Sequence, residues 1–125
     1  MLEIIHKELS YRINGLLFKV HNELGRYCRE KQYADAFENL LRIENVEFER
    51  EKAFPLEIID NKFTNKADFV IEDKVILEFK AKPLILKEDY YQTQKYLQVS
   101  GHKLGFIVNF RNRYLKPIRV IRINS

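Results

Sequence analysis

Apolar positions recur at three- and four-residue steps near the start of the chain: Ile5, Leu9, Ile13, Leu16, Leu17, Val20 and Leu24. That period predicts an amphipathic helix over 3–24, stopped by Gly25. A second helix is expected over 29–44, with Tyr33, Phe37, Leu40 and Leu41 on one face. The period then changes to two. "VEFEREKAF" alternates apolar with charged residues and predicts a strand. Pro55 interrupts it, and "LEII" continues as a strand or edge. "DNKFTNK" carries turn chemistry. Residues 67–71 and 75–81 predict two strands joined at "EDK". A helix is expected from about Lys87 to Gly101, after Pro83. "KLGFIVNF" is a continuous apolar run, hence a buried strand, and "PIRVIRI" alternates as a last, edge-like strand.

This order predicts an α/β fold with a mixed central β-sheet flanked by helices. Hairpins make the early strands antiparallel, and the helix at 87–100 can carry the chain over to a parallel strand at 103–110. The length of 125 residues suggests one domain, 1–125. With 46% hydrophobic residues, a core can form without disulfide staples. The single cysteine, Cys28, cannot form an internal disulfide, and no Cys/His cluster has zinc spacing. The opening residues carry charges throughout and do not resemble a signal peptide. No apolar run is long enough to span a membrane. A cytoplasmic protein is therefore expected. His6, His21 and His102 are far apart and read as surface or helix residues. Cys28 reads as packing, and Tyr90 and Tyr91 as core or rim.

The net charge of +4 is small, but it is uneven. The tail holds Arg111, Arg113, Lys116, Arg119 and Arg122 without an acid. One reading is a solvated edge strand guarded by cations. The other is a stripe that contacts phosphates, with Phe110 and Tyr114 interleaved.

Three charges interrupt the apolar segment "ADFVIEDKVILEFKA": Asp68, Glu78 and Lys80. Buried charges are costly unless paired or bound to an ion. Glu78 and Lys80 are two apart and share a strand face. A two-residue hairpin loop would put Asp68 opposite Leu77. A three-residue loop, Glu72–Lys74, would put it opposite Glu78. Directly opposed residues have Cβ atoms about 4.5–5.5 Å apart. Two ionised carboxylates there repel by about 3–4 kcal/mol at an effective dielectric near 20. Lys80 relieves part of this and a divalent cation more. An exposed Lys–Glu pair is the plainer alternative. Glu30 stands at i, i+3, i+7 with Tyr33 and Phe37, which places it on the apolar face of its helix. It also lies in the first turn, where a carboxylate is favoured. Gln92 and Tyr96 are one helical turn apart.

Together these residues resemble the PD-(D/E)XK nuclease superfamily, with Asp68, Glu78 and Lys80 as its D…ExK core. "QTQKY" resembles the QxxxY helix motif of the recombination-exonuclease-like branch. "LGRYCREKQYADAFE" is similar to the opening of the small bacterial GxxExxY proteins, with Glu30 and Tyr33 on that family's Glu and Tyr. The family's first Gly falls at Tyr27 here. The resemblance implies a restriction-endonuclease-like fold and a metal-dependent nuclease that hydrolyses phosphodiester bonds. It implies Mg²⁺ or Mn²⁺ held by Asp68, Glu78, the Phe79 carbonyl and Glu30. It implies catalytic or supporting roles for Lys80, Glu30, Gln92 and Tyr96. The expected partner is nucleic acid, DNA in the first place, with Arg111, Arg113, Lys116 and Arg119 on its phosphates. The alternative is a nucleic-acid-binding or protein-interaction module that keeps the fold with little chemistry.

Overall fold

A computed structural model of the chain describes residues 4–54 and 66–123. The elements run α1 (Lys7–Leu24), α2 (Glu30–Ile43), β1 (Phe48–Ala53), β2 (Lys66–Ile71), β3 (Val75–Lys80), α3 (Lys87–Ser100), β4 (Leu104–Asn109) and β5 (Ile118–Ile121). The first helix begins later than its periodicity suggests, because His6 takes a left-handed conformation at φ 50°. Gly25 and Gly101 end α1 and α3 as expected, at φ 74° and 79°. The expected strand at "LEII" and most of the turn that follows it lie outside the described residues.

Among the described residues, five strands form one sheet in sequence order, β1-β2-β3-β4-β5. The pairs β1–β2, β2–β3 and β4–β5 are antiparallel, while β3–β4 is parallel with α3 as its crossover. The sheet is therefore mixed and the architecture α/β, as the pattern predicts.

Alternation along the strands divides the core into two layers. Phe69, Ile71, Val75, Leu77, Phe79, Leu104, Phe106 and Val108 face α1 and α2. Val70, Ile76, Ile107 and Val120 face α3, where they meet Tyr96 and Leu97. The first layer is aromatic around the middle strands. Phe79 packs against Phe37, Phe69 and Phe110 at centroid distances of 5.4, 5.3 and 4.9 Å. Tyr33 stacks on Phe110 at 4.2 Å. Phe110 is thus wholly buried and is not interleaved with the exposed cations of the tail.

Gly105 sets how closely α3 approaches the sheet. A Cβ there would lie 3.1 Å from Thr93 Cγ2 and 3.2 Å from the Ile76 carbonyl oxygen. The missing side chain lets the helix sit low enough to aim Asp89 and Gln92 at the strand ends. Among the described residues, no helix is long and apolar enough to cross a membrane.

Candidate metal and nuclease site

The β2–β3 turn decides the geometry. Glu72 and Asp73 both have positive φ, and the Lys74 N–H donates to the Ile71 carbonyl at 2.9 Å. Positive φ at both central positions is what a type I′ hairpin turn requires. Lys74 is one residue more than that turn needs, so Ile71 pairs with Val75, Val70 with Ile76 and Phe69 with Leu77. Continuing the register puts Asp68 opposite Glu78, on the face that Val70 and Ile76 present to α3. Both carboxylates therefore lie on one face, as the three-residue alternative expects.

Regular pairing stops at this point. The Phe79 N–H donates to Asp68 Oδ2 at 2.6 Å, and the Asp68 N–H donates to Glu78 Oε1 at 3.2 Å. The side-chain oxygens have taken the place of strand carbonyls. On the other side of β2, Arg50 pairs with Phe69 and Lys52 with Ala67, which leaves Glu51 opposite Asp68. Glu51 sits at φ 53°, a conformation costly for a non-glycine residue. Both ladders flanking Asp68 are thus interrupted. Among the described residues, no hydrogen bond reaches the second oxygen of either carboxylate. A strand residue's N–H and C=O leave on the same edge, so the Phe79 carbonyl leaves on the Asp68 side.

Burial dominates the electrostatics. It pushes the Asp68 carboxyl up to about 6, against the pull of the Phe79 N–H and of Lys80, with Glu30 and Glu51 adding to the rise. Burial followed by repulsion from Asp68 raises Glu78 well above the usual carboxylate range, again opposed by Lys80 and reinforced by Glu30. Such a pair needs positive charge. Two carboxylates with unused oxygens and a main-chain carbonyl on the same edge match the oxygen donor set of a hard divalent cation. The residues fit the group.

Lys80 shares the face of Glu78, but its ion-pair partner is Asp89 on α3, at 3.7 Å. The expected alternative of a Lys80–Glu78 pair is not what forms. Asp89 also binds Lys82 at 2.6 Å and accepts the Leu86 N–H at 2.8 Å, which fixes the start of α3. Burial alone would raise the Asp89 carboxyl. The Lys82 hydrogen bond, the Leu86 N–H and the Lys80 charge outweigh it and hold the group below its ordinary value. Asn109 clamps the segment after Lys80. It accepts the Lys82 N–H at 3.2 Å and donates to the Lys82 carbonyl at 2.7 Å. Sequence reading passed over Asp89, Asn109 and Glu51. Asp89 had a signal, since an acid three residues into a helix that follows two lysines can do both jobs. Asn109 and Glu51 had none beyond a polar residue ending an apolar run and one more charge in an alternating strand.

The remaining expected residues separate. Glu30 is at the first position of α2, in line with Tyr33 and Phe37 as expected, but it is exposed, because the first turn runs past the packed layer. Its charge still reaches both carboxylates. Tyr33 is fully buried. Its hydroxyl donates to the Gly25 carbonyl and accepts the Cys28 N–H, which ties the loop before Glu30 to the helix. The Gln92 amide donates to the Tyr96 hydroxyl at 3.3 Å, and that hydroxyl donates to the Lys66 carbonyl at 3.2 Å. This chain steadies the start of β2, two residues before Asp68. Arg111 reaches the Ala81 carbonyl at 3.2 Å, next to Lys80. Arg113 and Lys116 are exposed. Arg119 lies beside Phe106 on the α1 face and donates to the Ile5 carbonyl at 2.9 Å. The structure therefore does not bring Arg119 to the carboxylate face. His21 is buried, with its ring nitrogen 2.9 Å from the Asn112 carbonyl.

A family model described as the PD-(D/E)XK nuclease superfamily matches residues 7–122. The crystal structure of SSO0001 is similar in fold, with a TM-score of 0.56 and 17% identity over 90% of this chain and 67% of that one. No curated protein matches.

Proposed function

The chain belongs to the PD-(D/E)XK nuclease superfamily and has its restriction-endonuclease-like fold, and on that premise we propose that it hydrolyses nucleic-acid phosphodiester bonds with a divalent cation. The observation that carries this reading is the break in the β2–β3 ladder. There Asp68 and Glu78 stand side by side on one face, with Lys80 next along it. Within the superfamily we assign the chain to the GxxExxY proteins, on Glu30 and Tyr33, and read 1–125 as one domain. Cys28, free of disulfides, fits the reducing cytoplasm.

Asp68, Glu78 and the Phe79 carbonyl would hold Mg²⁺ or Mn²⁺, with Glu30 adding charge to its shell. When bound, the cation supplies charge neutralisation and Lewis-acid polarisation at the scissile phosphate. Lys80 orients the attacking water and takes up part of the charge that develops on the phosphoryl oxygens. Asp89 holds Lys80 toward the site. Gln92 and Tyr96 fix the strand that carries Asp68. Arg111, Arg113 and Lys116 contact phosphates, DNA being the expected polymer.

The test is a nuclease assay on single- and double-stranded DNA and RNA with Mg²⁺, Mn²⁺ or chelator. Cleavage should require the cation and disappear in Lys80→Ala. Tight binding without hydrolysis on every substrate would favour a binding module instead.

A further inference from the structure

Tyr27 is exposed where a loop is otherwise tightly fastened. The residue is 77% accessible, yet the backbone around it is fixed from several sides. Tyr33 bonds both Gly25 and Cys28. The neighbouring Arg26 donates from Nε to the Arg111 carbonyl at 2.8 Å, which joins this loop to the one after β4. Two guanidinium groups lie over the Tyr27 ring, Arg26 at 5.1 Å and Arg111 at 5.8 Å from its centroid. Arg111 in turn reaches the carbonyl beside Lys80. Arg111 Nε is buried without an acceptor, a cost the fold bears to keep that guanidinium in place. An exposed aromatic ring on a fastened loop, with two cations close to it, thus stands on the loop that Arg111 joins to the lysine end of the carboxylate face.

We propose that Tyr27 is a stacking platform for an unpaired nucleobase and that the substrate is a single-stranded nucleic acid. This rests on the nuclease reading for the identity of the polymer. Stacking needs an open base face. Within a duplex, neighbouring pairs cover both faces, whereas a single strand can splay its bases onto aromatic rings and guanidinium planes. Arg26 and Arg111 serve the same nucleotide, through the edge of the stack and through its phosphate. The site therefore selects for strandedness and tolerates sequence, because every base has a π-face.

Binding is measured in chelator, so that hydrolysis plays no part. The probes are a short oligothymidine, an abasic strand of equal length and a blunt duplex. The wild type should bind oligothymidine most tightly. Tyr27→Ala should weaken that binding roughly tenfold and leave the abasic strand unchanged, which removes the preference between the two. Tyr27→Trp should restore it. Arg111→Gln should lower the salt slope by about one, while Tyr27→Ala should not alter it. Equal affinity of the wild type for oligothymidine and the abasic strand overturns the platform. So does an equal loss on both strands in Tyr27→Ala, or tighter binding of the duplex. A parallel assay with Mg²⁺ keeps the two readings apart. Base-dependent binding without cleavage removes the hydrolase reading alone, and cleavage with base-independent binding removes the platform alone.

Discussion

Asp68 shows how a single residue can work against the fold that holds it. Its carboxyl lies near 6 in the folded chain, against an ordinary value of 3.8, so the native state binds that proton more tightly than the unfolded one. The stability this contributes is fully present below about pH 4 and is lost as pH rises through about 6. Glu78 is raised as well, so the pair together loses stability as the pH rises. Urea unfolding in chelator should therefore show stability falling between about pH 4 and pH 7. Asp68→Asn keeps an oxygen for the Phe79 N–H and removes the charge. It should flatten that slope and raise stability at neutral pH. Stability that rises with pH across this window would mean that Lys80 holds Asp68 ionised. A second residue-scale prediction concerns Asp89. Asp89→Asn retains an acceptor for the Leu86 N–H but weakens its hold on two lysines. Unfolding free energy should change by no more than about 1–2 kcal/mol. Cleavage should fall by about tenfold or more, because Lys80 is no longer aimed. Unchanged cleavage would reduce Asp89 to a helix cap.

At the scale of elements, the contact between α3 and the sheet depends on Gly105. Gly105→Ala would press a methyl group on Thr93 and on the Ile76 backbone, and a strand backbone cannot yield cheaply. The variant should be destabilised by about 1–3 kcal/mol, read from thermal or urea unfolding, and a neutral outcome would mean that the helix can ride outward. This contact also marks where sequence reading ends. The helices at Lys7–Leu24 and Lys87–Ser100 and the strand at Leu104–Asn109 were legible, because period and glycine stops are local signals. The turn was legible only as two alternatives. "EDK" does not say that Glu72 and Asp73 take positive φ with Lys74 as the extra residue. The pairing of Asp68 with Glu78 followed once that choice was fixed. Asp89 carried a signal that went unread, an acid early in a helix after two lysines, whereas Asn109 was not legible in its role, since its partner Lys82 comes from another part of the chain. Glu30 was placed on the apolar face by its spacing, but spacing cannot show where a packed layer ends.

For the whole molecule, the carboxylate pair links stability to cation concentration. A ligand bound only by the folded chain, at about one hundred times its dissociation constant, adds roughly 2.7 kcal/mol. Thermal melts should rise with Mg²⁺ or Mn²⁺ in the wild type and stay level in Asp68→Asn. A rise of equal size in both would place the bound cation elsewhere. The linked loops have a consequence in time. His21 and Arg26, at the end of α1 and just after it, are fastened to Asn112 and Arg111, which follow them by 91 and 85 residues. A ribosome adding about 5–20 residues per second makes these partners several seconds to some twenty seconds after α1 has emerged. For that interval Ile13, Leu16, Leu17 and Val20, buried in the finished fold, have only part of their surroundings to pack against. α1 is thus made well before the residues that fasten its C-terminal end, and its apolar face waits on parts of the chain that are made later.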